Sequence, residues 1–425
     1  CRSWFSSLPS RGPCPLAPRG ALRNMAPMSG EAPEKRIRFK GLIERLSEID
    51  VKVTRNIEFI RTSETGEAEP GQEDADGSHF ADVLAQWAVR NRTQDFSDCA
   101  GELRPLSKSL HMVVFNLTAI VDILLRHLEK PNSQAAEPLL MLVGALARDV
   151  RSELTPYFGR IFSVLTGVLN AAIREGNQHV DVAEQVFQSL AYLLKYLARY
   201  VADNLPAYLE TYAVLLCHKK PYVSHFASET LAFILRRLRA GRAEEAIADL
   251  FGLLRAPTRA AKELEVLANS LSVIFAEAVK GVQHSFHSQM PHLLQPLLRC
   301  HVRFDEAASL SPEARAAQLW AVKAALLRMR NHAVELDATG DILEIILEHC
   351  RSALKRLSKA ANAERGAVGD LAPPGSAAGP LGMAPEEQEV LFYVDLLTDW
   401  VYAKPRPRGD ETGWGAYAEA VLEIL

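Results

Sequence analysis

The chain has 425 residues, 48% hydrophobic, 24% charged and 7% aromatic, a balance that excludes wholesale disorder because enough apolar surface is present to offset the entropy of ordering. Lys and Arg number 48 against 52 Asp and Glu, which excludes a uniformly basic nucleic-acid binder and leaves room only for local basic faces. The length suits about two to three ordinary domains or one extended repeat array.

Residues 1–34 read as a disordered leader. The first thirty contain no Asp or Glu, carry Arg2, Arg11, Arg19 and Arg23, and are broken by Pro9, Pro13, Pro15, Pro18 and Pro27. An Arg- and Ser-rich leader without acid has the composition of a mitochondrial transit peptide, but these prolines deny it the amphipathic helix such peptides need. The chain opens on Cys1, and Met25 or Met28 would each start a plausible protein, so the leader is expected to be translated sequence upstream of a natural start.

An N-terminal helix is predicted over 35–60 and an acidic, turn-rich flexible loop over 61–77. From about residue 35 onward the 3.6-residue apolar period dominates and strict alternation is almost absent, and 78–360 reads as a HEAT-like repeat array. In one example, Val182, Val186, Leu190, Leu193, Leu197 and Val201 step by 4, 4, 3, 4 and 4, which places them on one helical stripe. Helices are predicted near 78–95, 107–129, 135–152, 155–175, 179–202, 206–217, 222–239, 242–254, 260–280, 285–303, 312–330 and 341–358. The connectors between them are short and hold Pro, Gly, Asn or Asp, as at Pro131-Asn132, Gly176-Asn177, Asn204 to Pro206 and Pro221, and short turns force antiparallel neighbours. Helix pairs beginning near 107, 155, 206 and 242 recur at irregular intervals inside the HEAT and armadillo range. The predicted fold is therefore all-α, a HEAT/armadillo-like α-solenoid of antiparallel helical hairpins. Residues 361–386 form an Ala/Gly/Pro tract expected to be a disordered insertion, and 387–425 hold further repeat helices. Tyr417, Val421, Leu422 and Leu425 sit on a helical pattern with no stop signal, so the chain is expected to be a piece of something longer.

Chemistry is sought in the same sequence. The apolar run Leu139 to Ala147 is far shorter than the ~18–20 residues that span a bilayer, and no membrane is expected among the partners. The six cysteines (Cys1, Cys14, Cys99, Cys217, Cys300, Cys350) are scattered without a C-x-x-C pair, which reads as a reducing compartment. Phosphate-loop, dinucleotide, nucleophile-elbow and H-E-x-x-H motifs are all missing from the sequence. His284, His287, His292 and Cys300-His301 match no zinc spacing. Cys217-His218, Cys300-His301 and His349-Cys350 are sequence neighbours, whose side chains diverge by about 100° on a helix, so each Cys is read as a small buried hydrophobe. No enzyme, metal, cofactor or small-molecule substrate is expected.

Basic clusters are what remain. Lys35, Arg36, Arg38 and Lys40 form the first, Lys219 and Lys220 the second, Arg236, Arg237, Arg239 and Arg242 the third, Arg351, Lys355, Arg356 and Lys359 the fourth, and Lys404, Arg406 and Arg408 the last. Arg351, Lys355 and Lys359 step by four and form one positive helical edge. Such edges are either solvated, dipole-compensating helix ends or a ridge that touches phosphates without reading sequence. Tyr192, Tyr196 and Tyr200 also step by four, a stripe that either packs on the next repeat or stacks on bases.

The most distinctive stretch is KKPYVSHFASETLAFILRRL, Lys219 to Leu238. It resembles the K-x-P-x-[IV]-x-x-F-A-[AS]-E-[ST]-x-x-[FY]-[IL]-[LM]-R-[RK] repeat of the large HEAT-repeat scaffold of the small-subunit processome, the family named down-regulated in metastasis or U three protein twenty. Leu190 to Leu197 and Leu205 to Tyr208 look like the region before that motif, and Arg36 to Val51 is similar to the family's N-terminal opening. The resemblance covers about residues 35 to 280. It implies a non-enzymatic nucleolar scaffold in ribosome biogenesis, with pre-ribosomal RNA and processome assembly proteins as partners inside a large ribonucleoprotein complex. The alternative is a transport receptor or adaptor of the same repeat class that binds protein signals along an acidic groove, without RNA contact.

Overall fold

The computed structural model describes residues 39–49, 77–131, 133–174, 180–255, 259–279, 297, 317, 320–324, 339–366 and 385–403. The expected leader, the loop over 61–76, most of the Ala/Gly/Pro tract and the last predicted helix lie outside these residues. Within them every regular element is an α-helix or a short 3-10 turn, and no strand occurs among the described residues. The chain is all-α, as the periodicity predicts.

In chain order the helices are α1 (Leu42–Glu48), α2 (His79–Arg90), α3 (Gln94–Leu103), α4 (Leu110–Phe115), α5 (Leu117–Leu128), α6 (Ala136–Val150), α7 (Phe158–Arg174), α8 (Val180–Asp203), α9 (Leu209–Leu216), α10 (Pro221–Leu235), α11 (Ala243–Gly252), α12 (Ala261–Val279), α13 (Thr339–Gly366) and α14 (Pro385–Ala403). Side-chain caps set several starts. Ser78 Oγ accepts from the Ala81 amide at 3.1 Å, Thr93 Oγ1 from Phe96 and Ser109 Oγ from Met112, each occupying one donor the first turn leaves without an intrahelical partner.

Two predicted helices are broken where a polar side chain competes for the backbone. The helix expected over 78–95 stops at Arg90, because Asn91 leaves the helical conformation and its Oδ1 accepts from both the amide and the hydroxyl of Thr93. Thr93 then caps α3, whose buried Phe96, Cys99, Ala100 and Leu103 stand at the i, i+3, i+4 and i+7 positions of one helical face, a short element mostly outside the predicted helices. The helix expected over 107–129 is interrupted at Asn116, whose amide donates to the carbonyls of Leu106 at 3.2 Å and Met112 at 3.0 Å. Asn and Asp favour such local bonds over a continuing helix. At the other end, α13 runs on to Gly366, into the stretch expected to be disordered from 361.

Packing follows a simple rule between residues 79 and 279. Helices α2, α6, α8, α10 and α12 form one row in which each touches the next, and α3, α5, α7 and α9 form a second row of the same kind. Consecutive pairs α5/α6, α7/α8 and α9/α10 cross between the rows. The predicted stripe of α8 accounts for this: Val186, Leu190, Leu193, Leu197 and Val201 are all buried, with Val182 half-buried at the end. Each such side chain contributes ~1.5–3 kcal/mol. Aromatic pairs tie successive helices of a row. Phe187 of α8 stacks on Phe226 of α10 at 4.2 Å between centroids, while Phe158 and Phe162 of α7 meet Tyr208 and Tyr212 at 5.0 and 4.7 Å. Gly144 lets α6 approach α8, since a Cβ there would come within 3.1 Å of the Tyr192 ring. Helices α13 and α14 pack on each other.

One polar joint lies inside this packing. Asp149, fully buried near the end of α6, accepts from Ser78 Oγ at 2.8 Å and from the Phe80 amide at 2.9 Å, at the start of α2. Beside it Arg148 Nη1 lies 3.3 Å from His79 Nε2. Partial burial and this guanidinium hold the His79 imidazole below its ordinary pKa, so at neutral pH it is an acceptor.

Cys99 and Cys350 are fully buried, in keeping for Cys350 with its reading as a small hydrophobe, whereas Cys217 is half-buried and Cys300 lies outside the described residues. Desolvation pushes the Cys99 thiol up to about 12, so almost no thiolate exists at neutral pH. Native protein treated with iodoacetamide at pH 7.5 is expected to leave Cys99 unmodified, whereas the urea-unfolded chain alkylates there; mass spectrometry of the Cys99 peptide reads both. No helix among the described residues is long and apolar enough to cross a membrane.

Candidate functional site

The basic clusters have different surroundings. Lys35, Arg36 and Arg38 lie outside the described residues, as do Lys404, Arg406 and Arg408. Lys40 is exposed and pairs with Glu48 at 2.8 Å, bridging the two ends of α1. Lys219 and Lys220 are exposed on the turn between α9 and α10, where His218 Nδ1 accepts from the Lys220 amide at 3.0 Å. They border a cavity of about 960 Å³ together with Glu210, Cys217, Arg259 and Glu263. Arg259 Nη1 donates to Cys217 Sγ at 2.9 Å there.

The cluster after α10 is largely occupied with the fold. Arg236 is half-buried, and its guanidinium donates to the carbonyls of Glu277 and of Ala278, the latter at 3.2 Å. It thereby satisfies the acceptors that the last turn of α12 leaves open. Burial lowers the pKa of this guanidinium, without depriving it of its charge at any working pH. Arg239 lies 3.6 Å from Asp203, Arg242 donates to the Asp203 carbonyl at 2.5 Å, and Arg237 covers the Phe233 ring. These side chains close the ends of α8, α10 and α12.

The edge on α13 is different. Arg351, Lys355 and Lys359 are all exposed, on one side of the helix, while Arg356 turns inward to Glu389 of α14 at 2.6 Å. The inward pair anchors the helix, and the outward three present a row of cations spaced one turn apart. The tyrosine stripe is taken up by packing: Tyr192 lies on Gly144, Tyr196 under the Arg151 guanidinium at 5.5 Å, and Tyr200 against Tyr208. Arg151 itself has a positive φ of 46°, a conformation side chains rarely adopt, and it turns the chain sharply out of α6.

The most elaborate polar arrangement was not anticipated from the residues alone. Helix α1 is seated on α8 and α10. Arg45, only 1% exposed, donates from Nη2 to the Glu184 carboxylate at 2.7 Å, from Nη1 to Gln188 Oε1 at 3.3 Å, and from Nε to the Lys40 carbonyl at 3.0 Å. Its guanidinium carbon sits 5.6 and 5.8 Å from the Phe187 and Phe226 rings, respectively. Glu229 accepts from the Leu42 amide at 2.7 Å, at the start of α1, and a Cβ at Gly41 would lie 2.9 Å from that carboxylate. At the other end Lys195 Nζ reaches the Leu46 carbonyl at 3.4 Å. A carboxylate at the N-terminus and an ammonium at the C-terminus both complement the helix dipole. Phe226 and Glu229 belong to the F-A-S-E core of the distinctive stretch, so these motif residues hold the N-terminal helix rather than face solvent. Sequence reasoning marked the motif but had no signal that Arg45 is its counterpart, because the two are separated by some 180 residues.

No group of three or more His, Cys, Asp or Glu that could hold a metal occurs among the described residues; His284, His287, His292 and Cys300-His301 lie outside them.

These features define an all-α protein in which most helices between 79 and 279 fall in two rows, with an exposed row of cations on α13. No family model matches the chain. The chain is similar to U3 small nucleolar RNA-associated protein 20 of Saccharomyces cerevisiae, 24% identical over 264 residues, covering 62% of this chain and 10% of that protein. It is also similar to the protein of the same name from Schizosaccharomyces pombe, 25% identical over 230 residues, covering 53% of this chain and 9% of the relative. The chain thus spans about a tenth of the length of the curated relatives it matches, and they bear the name that the Lys219 to Leu238 motif suggests.

Proposed function

We propose that the chain is a segment of a non-enzymatic α-solenoid scaffold of the small-subunit processome, acting in the nucleolus during ribosome biogenesis and maturation of the small-subunit RNA precursor. The similarity to two U3 small nucleolar RNA-associated proteins carries this reading. The solenoid reading is supported by the two rows between 79 and 279, in which α2, α6, α8, α10 and α12, and likewise α3, α5, α7 and α9, each contact the next member, an arrangement that lets a stack grow by repeating one hairpin. The array would begin at 78, with 35–60 contributing a helix docked on its flank and 61–77 a connecting loop.

In this reading, pre-ribosomal RNA backbone lies along exposed cationic edges, foremost Arg351, Lys355 and Lys359, with Lys219 and Lys220 as a second point, and assembly proteins occupy other faces. Several weak contacts on one rigid array add as effective concentration rather than as a single site. Arg236, Arg239 and Arg242 support the fold, and their removal would confuse the measurement.

The test is binding of this chain to a fragment of small-subunit precursor RNA over a salt series, with the triple variant Arg351→Glu, Lys355→Glu, Lys359→Glu beside it. Each lost phosphate contact removes about 0.9 from the slope of log affinity against log salt, so the triple variant is expected to flatten the slope by roughly two to three and to bind at least tenfold more weakly at low salt. An unchanged slope with an intact circular dichroism spectrum would exclude this edge from RNA contact.

A further inference from the structure

The corner between α4 and α5 carries the most exposed of the large apolar side chains among the described residues, Phe115, at 89%. Its position is held by the backbone. The Asn116 side chain bonds the carbonyls of Leu106 and Met112, pinning the 104–106 turn to the end of α4, and Leu110 and Val113 are buried beneath. The ring therefore stands on a braced corner rather than on a loose loop. Around it Pro105, Leu106, His111, Met112, Val114 and Asn116 line a groove of about 710 Å³. An aromatic ring, a methionine and aliphatic walls on a rigid support are the composition of an interface core, in which the aromatic residue is the usual anchor.

Two exposed cations neighbour the lining residues of the groove in the chain. Arg104 and Lys108 are exposed on either side of Pro105 and Leu106, and the chain holds no Asp or Glu between Glu102 and Asp122. Both of those acids are engaged elsewhere: Glu102 with Arg126 and with His127 at 3.1 Å, and Asp122 with Arg160 at 2.8 Å. An occupant that brings apolar groups to the groove can set negative charge beside Arg104 and Lys108.

We infer that this groove docks a short amphipathic helix of a partner protein, its apolar stripe against Phe115 and Met112 and its flanking Asp or Glu residues beside Arg104 and Lys108. RNA also offers negative charge, but five of the seven lining residues are apolar and only His111 and Asn116 carry polar side chains, so a nucleobase seated among them would leave most of its polar edge without partners. A helix satisfies its own backbone and presents apolar side chains at the i, i+3 and i+4 spacing that a groove accepts. The inference concerns different helices from the α13 edge and stands or falls without it.

The experiment is selection of a displayed helical-peptide library on the whole chain, with counter-selection on Phe115→Ala, followed by fluorescence anisotropy of a selected synthetic peptide. The enriched sequences are expected to combine Leu, Phe or Trp at helical spacing with flanking Asp or Glu. Phe115→Ala is expected to weaken the peptide at least tenfold, and Arg104→Glu with Lys108→Glu to weaken it further at low salt than at high salt. Val89→Ala, at another exposed apolar position, is expected to change nothing. Because Phe115 is almost fully solvated, the variant should retain the native circular dichroism spectrum, so lost binding reads the groove. Absence of Phe115-dependent peptides, or enrichment without acidic residues, would overturn the inference. So would Phe115-dependent binding of an oligouridine RNA in the peptide's place, or a concentration-dependent dimer in sedimentation that Phe115→Ala abolishes, since these would give the groove to RNA or to a second copy.

Discussion

Arg45→Met is expected to detach α1 from the array while leaving the rest folded. Removing one partner of a buried ion pair costs about 3–5 kcal/mol; the Glu184 side chain keeps 34% of its surface exposed, which places the effect at the lower end, about 3 kcal/mol. The methionine preserves most of the side chain's volume between Phe187 and Phe226, so the change reads the guanidinium and its bonds rather than a cavity. Hydrogen exchange is the measurement. The amides of Leu42 to Glu48 should exchange about a hundredfold faster, and those of α12 should be unchanged. Unchanged protection of α1 would mean that its apolar contacts through Leu42 and Leu46 suffice. A cycle with Glu184→Gln separates the pair from its surroundings, and a coupling well above the ~0.3–0.5 kcal/mol scatter of independent sites is expected.

The second large effect is expected at Asp149. Asp149→Ala leaves the Ser78 hydroxyl and the Phe80 amide without the acceptor they share inside the packing, and orphaned buried donors cost about 1–3 kcal/mol each. Urea denaturation should show a loss of about 2–4 kcal/mol with an unchanged slope. Asp149→Asn retains one acceptor oxygen and should cost less, and its pH dependence tests the electrostatics. Burial raises the pKa of this carboxyl above its ordinary value despite the donors around it. The folded state therefore holds the proton more tightly than the unfolded chain does. The residue's contribution is full below the unfolded pKa of about 3.9 and declines as pH rises through the higher folded value. Asn carries no such term, so the gap between wild type and Asp149→Asn should narrow as pH climbs through that window. A constant gap would show that Asp149 titrates as it does in the unfolded chain.

Both predictions concern contacts across long sequence separations, and this separates what was legible in advance from what was not. The helices were legible because their apolar residues repeat with the helical period. The stripe from Val182 to Val201 required no knowledge of its neighbours, and the buried positions of α8 follow it. The two misread helices show the limit of the same signal. At Asn91 and Asn116 a side-chain amide outcompetes the helix for nearby backbone groups, a local choice that apolar periodicity does not register.

The charges were harder. Arg236 and Lys355 look alike in sequence, as basic residues near the end of a predicted helix, yet one donates to the last carbonyls of α12 and the other faces solvent. What distinguishes them is whether another helix ends within reach of the side chain. Glu229 and Phe226 stood out in the motif as residues of unusual pattern, but their task is to seat a helix that begins at Leu42.

The sequence by itself determined the helical class, most of the helix positions and the family resemblance, because these depend on residue spacing along a single element and on one contiguous motif. Only the tertiary structure decided which cations are structural and which are exposed, that Arg45 is gripped by α8 and α10, and that Phe115 stands on a braced corner. Those outcomes depend on which distant backbone carbonyls, rings and carboxylates are brought within a few ångströms, and that is a property of helix packing, not of any local stretch of residues.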